Sequence, residues 1–296
     1  MQENESITLA DGRTLAYGIY GSPTSERTVF FFHAFPSARV EGRIWHSAAA
    51  KLNIRFIVPD RPGMGYSTYQ PNRTLLDWPA DVLALADHLK IQQFYVMGLS
   101  GGGPYTFACV KSIPKNRLSG AAVVSGLYPV KLGTAGMLMK GRVILWIGPW
   151  IPGLLGSLVD SMLGTAARNP DPKVLEAAMK KELATRTEID QRAMIDERNW
   201  PAFVESTREG LRQGGQGLGW DTKLFGDPWG FDLEELDADI PVTMWHGTED
   251  VNTPLQMAQK AKAKLPTATL HTLEGEGHVS HAFFHQEDIL RELVGV

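Results

Sequence analysis

Three residues of this chain have the types and the order that acyl transfer at a serine requires: Ser100, Asp250 and His278. A serine hydroxyl is a weak nucleophile near neutral pH. It becomes an attacking group when a histidine can take its proton and a carboxylate holds that histidine in one tautomer. Ser100 lies in Gly98-Leu99-Ser100-Gly101-Gly102, behind the apolar run Phe94 to Met97 and ahead of a helical pattern from Pro104 to Val110. The spacing predicts a G-x-S-x-G elbow, a tight strand-to-helix turn that lifts the hydroxyl above a sheet while small neighbours let the chain pack around it. A glycine-rich loop with an incidental serine is the rival reading, and the strand-turn-helix context argues against it.

Asp250 ends His246-Gly247-Thr248-Glu249-Asp250, behind the strand pattern Val242 to Trp245 and ahead of a helix from Pro254 to Lys264. A plain turn or cap role competes for it, and Glu249 is its neighbour. Among the late histidines, His271 falls inside the strand pattern Thr269 to Leu273, and His281 and His285 are spaced like one face of a tail helix. Only His278 follows a glycine-rich turn. The oxyanion of an acyl transfer needs donors. The N–H of Gly101 is one candidate, and the other is expected from the loop after Val29 to Phe32, at the N–H of Phe35. His33 in that loop is expected to give structural support. His278 has no HExxH, paired His/Cys spacing or carboxylate cluster around it, so no metal is expected. Gly63-Met64-Gly65 lies in a proline-rich loop without a dinucleotide fingerprint, so no cofactor is expected either.

The elements that must position these groups follow a strand-helix rhythm. Asp11-Gly12 between Ile7 to Leu9 and Leu15 to Tyr20 reads as a hairpin. The continuous apolar runs Val29 to Phe32, Arg55 to Val58, Phe94 to Met97 and Ala121 to Val124, with helical patterns between them, imply crossover units in a mainly parallel, doubly wound α/β sheet. The rhythm stops near Leu127 and resumes after Leu236. Residues 1–126 and 237–296 are therefore expected to form the core, and 127–236 a mostly helical insertion over the active-site end. That insertion contains the charged helical stretch Pro172 to Arg198, a further piece from Phe203 to Leu211, and the glycine-rich GQGLGWD. Val143 to Leu163 is nearly uncharged and long enough to cross a bilayer, but Pro149, Pro152 and Asp160 interrupt it, which favours short helices over the site. Within this insertion Trp146, Trp150 and Leu154 are the candidates for an apolar pocket.

Composition narrows the partners. The chain has 296 residues, 43% hydrophobic and 21% charged, with a formal net charge of -4, which gives no footprint for nucleic acid. A single cysteine, Cys109, rules out an intrachain disulfide. The N-terminal residues lack the regions of a signal peptide, so a cytoplasmic location is the default expectation. The expected partner is a small uncharged hydrophobic substrate; membrane association is not expected, though surface contact of the segment Val143 to Leu163 with a lipid phase is left open. A homodimer is left open.

His33 to Arg39 (HAFPSAR), Asp60 to Ser67 (DRPGMGYS), Gly98 to Gly102 (GLSGG), His246 to Pro254 (HGTEDVNTP) and Gly275 to His278 (GEGH) together resemble the motifs of the alpha/beta-hydrolase family. The resemblance is to the serine-nucleophile branch with a helical lid after the sixth strand, and it covers nearly the whole chain. It implies an eight-stranded sheet, with Ser100 as nucleophile, Asp250 as acid, His278 as base and the Phe35 and Gly101 amides as oxyanion hole. It also implies hydrolysis of a small to medium hydrophobic carboxylic ester or lactone through an acyl-serine. An amidase or peptidase, a carbon-carbon bond hydrolase or a perhydrolase would use the same residues, and a non-catalytic ligand-binding protein could keep the fold. Ala34 departs from the family's usual glycine, and would be strained if its backbone were left-handed.

Overall fold

The run TVFFF of Thr28–Phe32 has no polar face to show. In the computed structural model, which describes residues 1–296, it is a fully buried strand inside one eight-stranded sheet. The strands are β1 (Gln2–Thr8), β2 (Thr14–Gly21), β3 (Thr28–Phe32), β4 (Arg55–Pro59), β5 (Phe94–Leu99), β6 (Leu118–Val124), β7 (Val242–Gly247) and β8 (Thr269–Leu273). They lie in the order β1-β2-β4-β3-β5-β6-β7-β8. β1 and β2 form the antiparallel edge, and every pairing from β4 to β8 is parallel.

Helices α1 (Gly42–Lys51), α2 (Trp78–His88) and α3 (Gly103–Ser112) alternate with the early strands. Next come α4 (Met139–Ile147), α5 (Pro152–Val159), α6 (Thr165–Ala167), α7 (Pro172–Leu183), α8 (Glu188–Ile195), α9 (Trp200–Gly210) and α10 (Gln216–Gly226), and finally α11 (Leu255–Lys264), α12 (Ser280–Phe284) and α13 (Gln286–Val294). Successive residues of a strand face opposite sides. Phe30 and Phe32 accordingly join a core under α2, α3 and α11, while Val29 and Phe31 join a second core under α1 and α13. Burial on both faces is why the β3 sequence is continuously apolar.

Between β6 and β7 the chain is helical, and three details there differ from the sequence reading. The stretch from Pro172 to Arg198 is two helices, α7 and α8, with a break between Leu183 and Glu188. In GQGLGWD, Gly215 is the N-cap of α10 and Gly217 and Gly219 lie inside the helix, because close packing requires them: a Cβ on Gly219 would stand 2.2 Å from the Pro152 carbonyl oxygen, and one on Gly217 2.6 Å from that of Gly63. Trp146, Trp150 and Leu154, expected in an apolar pocket, are 76%, 81% and 55% exposed, and the first two border an open groove that none of Ser100, Asp250 and His278 lines. The reason is that α4 and α5 turn other residues inward, Leu145 on α4 and Leu155 and Gly156 on α5. No helix is long and apolar enough to cross a membrane.

Candidate active site

The elbow forms where β5 meets α3, and its sequence is dictated by crowding. A Cβ at Gly98 would come within 2.3 Å of Thr106 Oγ1, and one at Gly102 within 2.0 Å of the Phe32 carbonyl oxygen. Ser100 itself takes φ 54°, a left-handed conformation that a side chain rarely adopts and that this turn imposes. Its hydroxyl lies 2.8 Å from His278 Nε2, and His278 Nδ1 lies 2.8 Å from Asp250 Oδ2. A carboxylate only accepts, so Nδ1 carries the ring proton and Nε2 is the lone-pair nitrogen facing the serine.

Asp250 is fully buried and heavily hydrogen-bonded. Its Oδ1 accepts from the N–H groups of Asn252 and Thr253 at 2.8 and 2.9 Å. Its Oδ2 lies 2.9 Å from Thr253 Oγ1 and 3.2 Å from His246 Nε2. Burial by itself would raise its pKa, but His278 and the hydrogen bonds from His246 and His278 hold it well below the usual carboxylate range. Asp250 therefore stays ionised. Glu249, its neighbour in sequence, makes no side-chain hydrogen bond or ion pair.

Phe35 and Gly101 face each other across the elbow: a Cβ on Gly101 would stand 3.1 Å from Phe35 Cβ. The Phe35 N–H, which lies outside the helices and strands, makes no hydrogen bond within the chain. Ala34 is not among the residues with positive φ, so the strain considered for it does not arise. Its N–H donates to Glu41 Oε2 at 2.9 Å, and Ser37 Oγ donates to the same oxygen. His33 is completely buried. Its Nε2 accepts the Arg61 N–H at 3.3 Å, while Nδ1 lies 3.0 Å from the Ala34 carbonyl oxygen. Burial and then the Arg61 charge push its pKa well below the imidazole range, so the ring is neutral.

Several residues that support this geometry carried no signal in the sequence. Arg61 donates to the carbonyls of both His33 and Ala34. It is itself held at 2.9 Å by Asp221 on α10, whose other oxygen takes Arg73 at 2.5 Å and the Tyr105 hydroxyl at 2.6 Å. Asp190 on α8 accepts the N–H groups of His278, Val279 and Ser280 at 2.8, 2.8 and 3.0 Å. A carboxylate from the inserted helices thus caps the turn that carries the histidine. His281 is buried behind it, 3.2 Å from Ser125 Oγ, and burial followed by the nearby His246 lowers its pKa to about 4. Only Arg61 lies within a motif; Asp190 and Asp221 sit in helices whose sequence does not name their distant partners.

Next to Pro36 on the oxyanion loop is a cavity of about 110 Å³ lined by the apolar Leu163, Met179, Leu183, Met194 and Phe203 and by the polar Glu182, Arg186 and Thr207. Leu183 and Met194 pack on Val279, the residue after His278, so the cavity is bracketed by the oxyanion and histidine loops. Arg186 borders it, with an Nη1 shut off from solvent and without a hydrogen-bond partner.

Comparison with known proteins agrees with this architecture. The family model described as alpha/beta hydrolase fold matches residues 27–284. The uncharacterized hydrolase YcgS of Bacillus subtilis (strain 168) is 26% identical over 284 residues, covering 93% of this chain and 91% of that protein. Among solved structures, the esterase RhEst1 from Rhodococcus sp. ECU1013 superposes with a TM-score of 0.67 at 20% identity, covering 100% of this chain and 99% of the other. The esterase EaEST from Exiguobacterium antarcticum does so with a TM-score of 0.69 at 14% identity, covering 100% of both chains. At such identities the structural likeness speaks to the fold alone. With the match running from β3 through the elbow to the loops that bear Asp250 and His278, the chain belongs to the alpha/beta hydrolase fold family.

Proposed function

We propose that this protein is a serine hydrolase that cleaves a small to medium hydrophobic carboxylic ester or lactone through an acyl-serine intermediate. The observation that carries the reading is the continuous line of 2.8 Å contacts from Ser100 Oγ to His278 to the ionised Asp250. Ser100 Oγ attacks the carbonyl carbon as His278 Nε2 takes its proton, and Asp250 stabilises the imidazolium that forms. The carbonyl oxygen, now negative, is received by the Phe35 and Gly101 N–H groups. Collapse of the tetrahedral adduct expels the alcohol, which His278 protonates; for a lactone the alcohol stays tethered to the acyl group. Water then gives a proton to His278 and attacks the acyl-serine, and Ser100 is regenerated with release of the acid.

The cavity beside Pro36 supports an apolar acyl group of modest size. Its volume is about 110 Å³, and five of its lining side chains, Leu163, Met179, Leu183, Met194 and Phe203, are apolar. The helices between β6 and β7 act in this reading as a lid that excludes water from the acyl site.

The direct test is labelling with an uncharged fluorophosphonate, read by whole-protein mass, with Ser100→Ala alongside. A single adduct on the wild type that is absent from the variant, together with loss of ester hydrolysis, is the expected result. A folded wild-type protein that takes no adduct, or a variant that hydrolyses esters at the wild-type rate, would overturn the assignment.

A further inference from the structure

One face of the inserted helices is apolar and bare. Met139, Val143, Trp146, Trp150, Leu154 and Leu158 recur every three or four residues and are all exposed. Met139, Val143 and Trp146 have the spacing of a helix stripe on α4; Trp150 lies in the turn that follows, and Leu154 and Leu158 make a second stripe on α5. Both helices rest their other sides on α10: a Cβ at Gly148 would stand 2.5 Å from the Thr222 carbonyl oxygen, and one at Gly156 2.6 Å from that of Gly215. Their outward sides therefore form one surface. The indoles of Trp146 and Trp150, 76% and 81% exposed, contribute roughly 300 Å² by themselves at about 150–250 Å² per aromatic side chain. An exposed apolar patch of a few hundred Å² is often a functional surface.

We propose that this face docks the protein on an anionic lipid–water interface, with α4 and α5 lying in the plane of the headgroups. Helices of 9 and 8 residues are far shorter than the roughly 20 residues a membrane span requires, so they lie on the surface rather than cross it. Tryptophan is the side chain best matched to the headgroup level, because its ring is apolar and its N–H is polar. Charge favours the same occupant. From Met139 to Val159 the only charged residues are Lys140 and Arg142, with no carboxylate among them. Lys140 pairs with Glu182 at 2.6 Å, and Asp227, which borders the same groove as Trp146 and Trp150, pairs with Lys223 at 2.6 Å, whereas Arg142 in that groove has no ion pair. A second copy of the chain, related by a two-fold axis, would offer Arg142 only carboxylates that are already paired within their own chain, Asp160 with Arg168, Glu182 with Lys140 and Asp227 with Lys223. Anionic headgroups provide the missing charge.

The surface adjoins the candidate site. The Leu138 N–H, one residue before α4, donates to the Val251 carbonyl at 2.9 Å, immediately after Asp250. Docking there holds the cover of the site against the lipid, where an ester that partitions into the interface is concentrated. This binding stands independently of whether Ser100 is active, and it departs from the expectation of no membrane association while taking up the lipid contact left open for Val143 to Leu163.

The test is flotation with vesicles of phosphatidylcholine alone and of equimolar phosphatidylcholine and phosphatidylglycerol, with tryptophan emission followed in parallel. The wild-type protein is expected to float with the anionic vesicles and to shift its emission to the blue. The double variant Trp146→Gln, Trp150→Gln should lose affinity by about 10-fold or more, with unchanged circular dichroism because both side chains are exposed. Arg142→Gln, measured separately, should weaken binding to the anionic vesicles by about 5-fold. Wild-type protein that floats with neither vesicle overturns the proposal, as does a double variant that binds like the wild type. A concentration-dependent dimer in sedimentation that the double variant abolishes, without vesicle binding, would assign the face to a second copy instead.

Discussion

Glu41 shows how one side chain can tie the oxyanion loop to pH. Burial raises its pKa from 4.5 to about 7, although hydrogen bonds from Ser37 and the Ala34 N–H oppose the rise. A carboxyl that holds its proton more tightly folded than unfolded contributes stability that is complete below about pH 4.5 and is lost as pH rises through about 7. Glu41→Gln keeps an acceptor for Ala34 and Ser37 without the ionisation. The variant should match the wild type in denaturant unfolding at the acid end of that window. Above it, the variant should be more stable by up to about 3 kcal/mol, at 1.36 kcal/mol per pKa unit. Identical pH dependence in the two proteins would show that Glu41 is not the group responsible.

At the scale of elements, α8 and the histidine turn behave as one unit. Asp190 is buried and spends both oxygens on three consecutive N–H groups, beginning with that of His278 itself. Such a charge-assisted cap fixes where α12 begins, and with it the direction from which Nε2 reaches Ser100. Asp190 is in this sense a positioning residue. In Asp190→Ala the three donors lose their acceptor, and kcat for ester hydrolysis should fall about 10- to 100-fold with KM nearly unchanged, since small misplacements of a base are costly. Asp190→Asn retains one carbonyl oxygen and should lose less. A change in KM alone, with kcat intact, would place Asp190 in substrate binding instead.

Across the whole molecule, the inserted helices and the sheet are joined through buried charge. Asp221 on α10 stands between Arg61 and Arg73, all three almost completely buried, and Arg61 in turn grips the oxyanion loop. Removing one partner from such a cluster leaves the others charged and uncompensated, at a cost of about 3–5 kcal/mol. Asp221→Ala should therefore lower the unfolding free energy by that order in a urea titration, and slow fluorophosphonate labelling of whatever protein stays folded. Wild-type stability in this variant would mean that Arg61 and Arg73 find other partners and that the joint lies elsewhere.

The succession of strands and helices along the chain, and the groups that follow those strands, are legible in the residues alone, whereas the crossed order β2-β4-β3-β5 within the sheet appears only in the fold. The succession and the groups are local properties: TVFFF can only be buried on two faces, and Ser100, Asp250 and His278 each follow a strand pattern and a turn of glycine or small polar residues. Choosing His278 over His271, His281 and His285 needed only that local context, and the structure places His278 alone against Ser100. Tertiary structure decided what local pattern cannot encode. An apolar residue does not announce which side of a helix will be covered, so Trp146, Trp150 and Leu154 could be recognised as apolar without it being apparent that α10 takes the opposite face. The partners of Asp190 and Asp221 lie 88 to 90 and 116 to 160 residues away along the chain. Only the packing of the inserted helices on the sheet brings those carboxylates to the histidine turn and to Arg61, because an ion pair across such a distance depends on the fold and leaves no periodicity in the sequence.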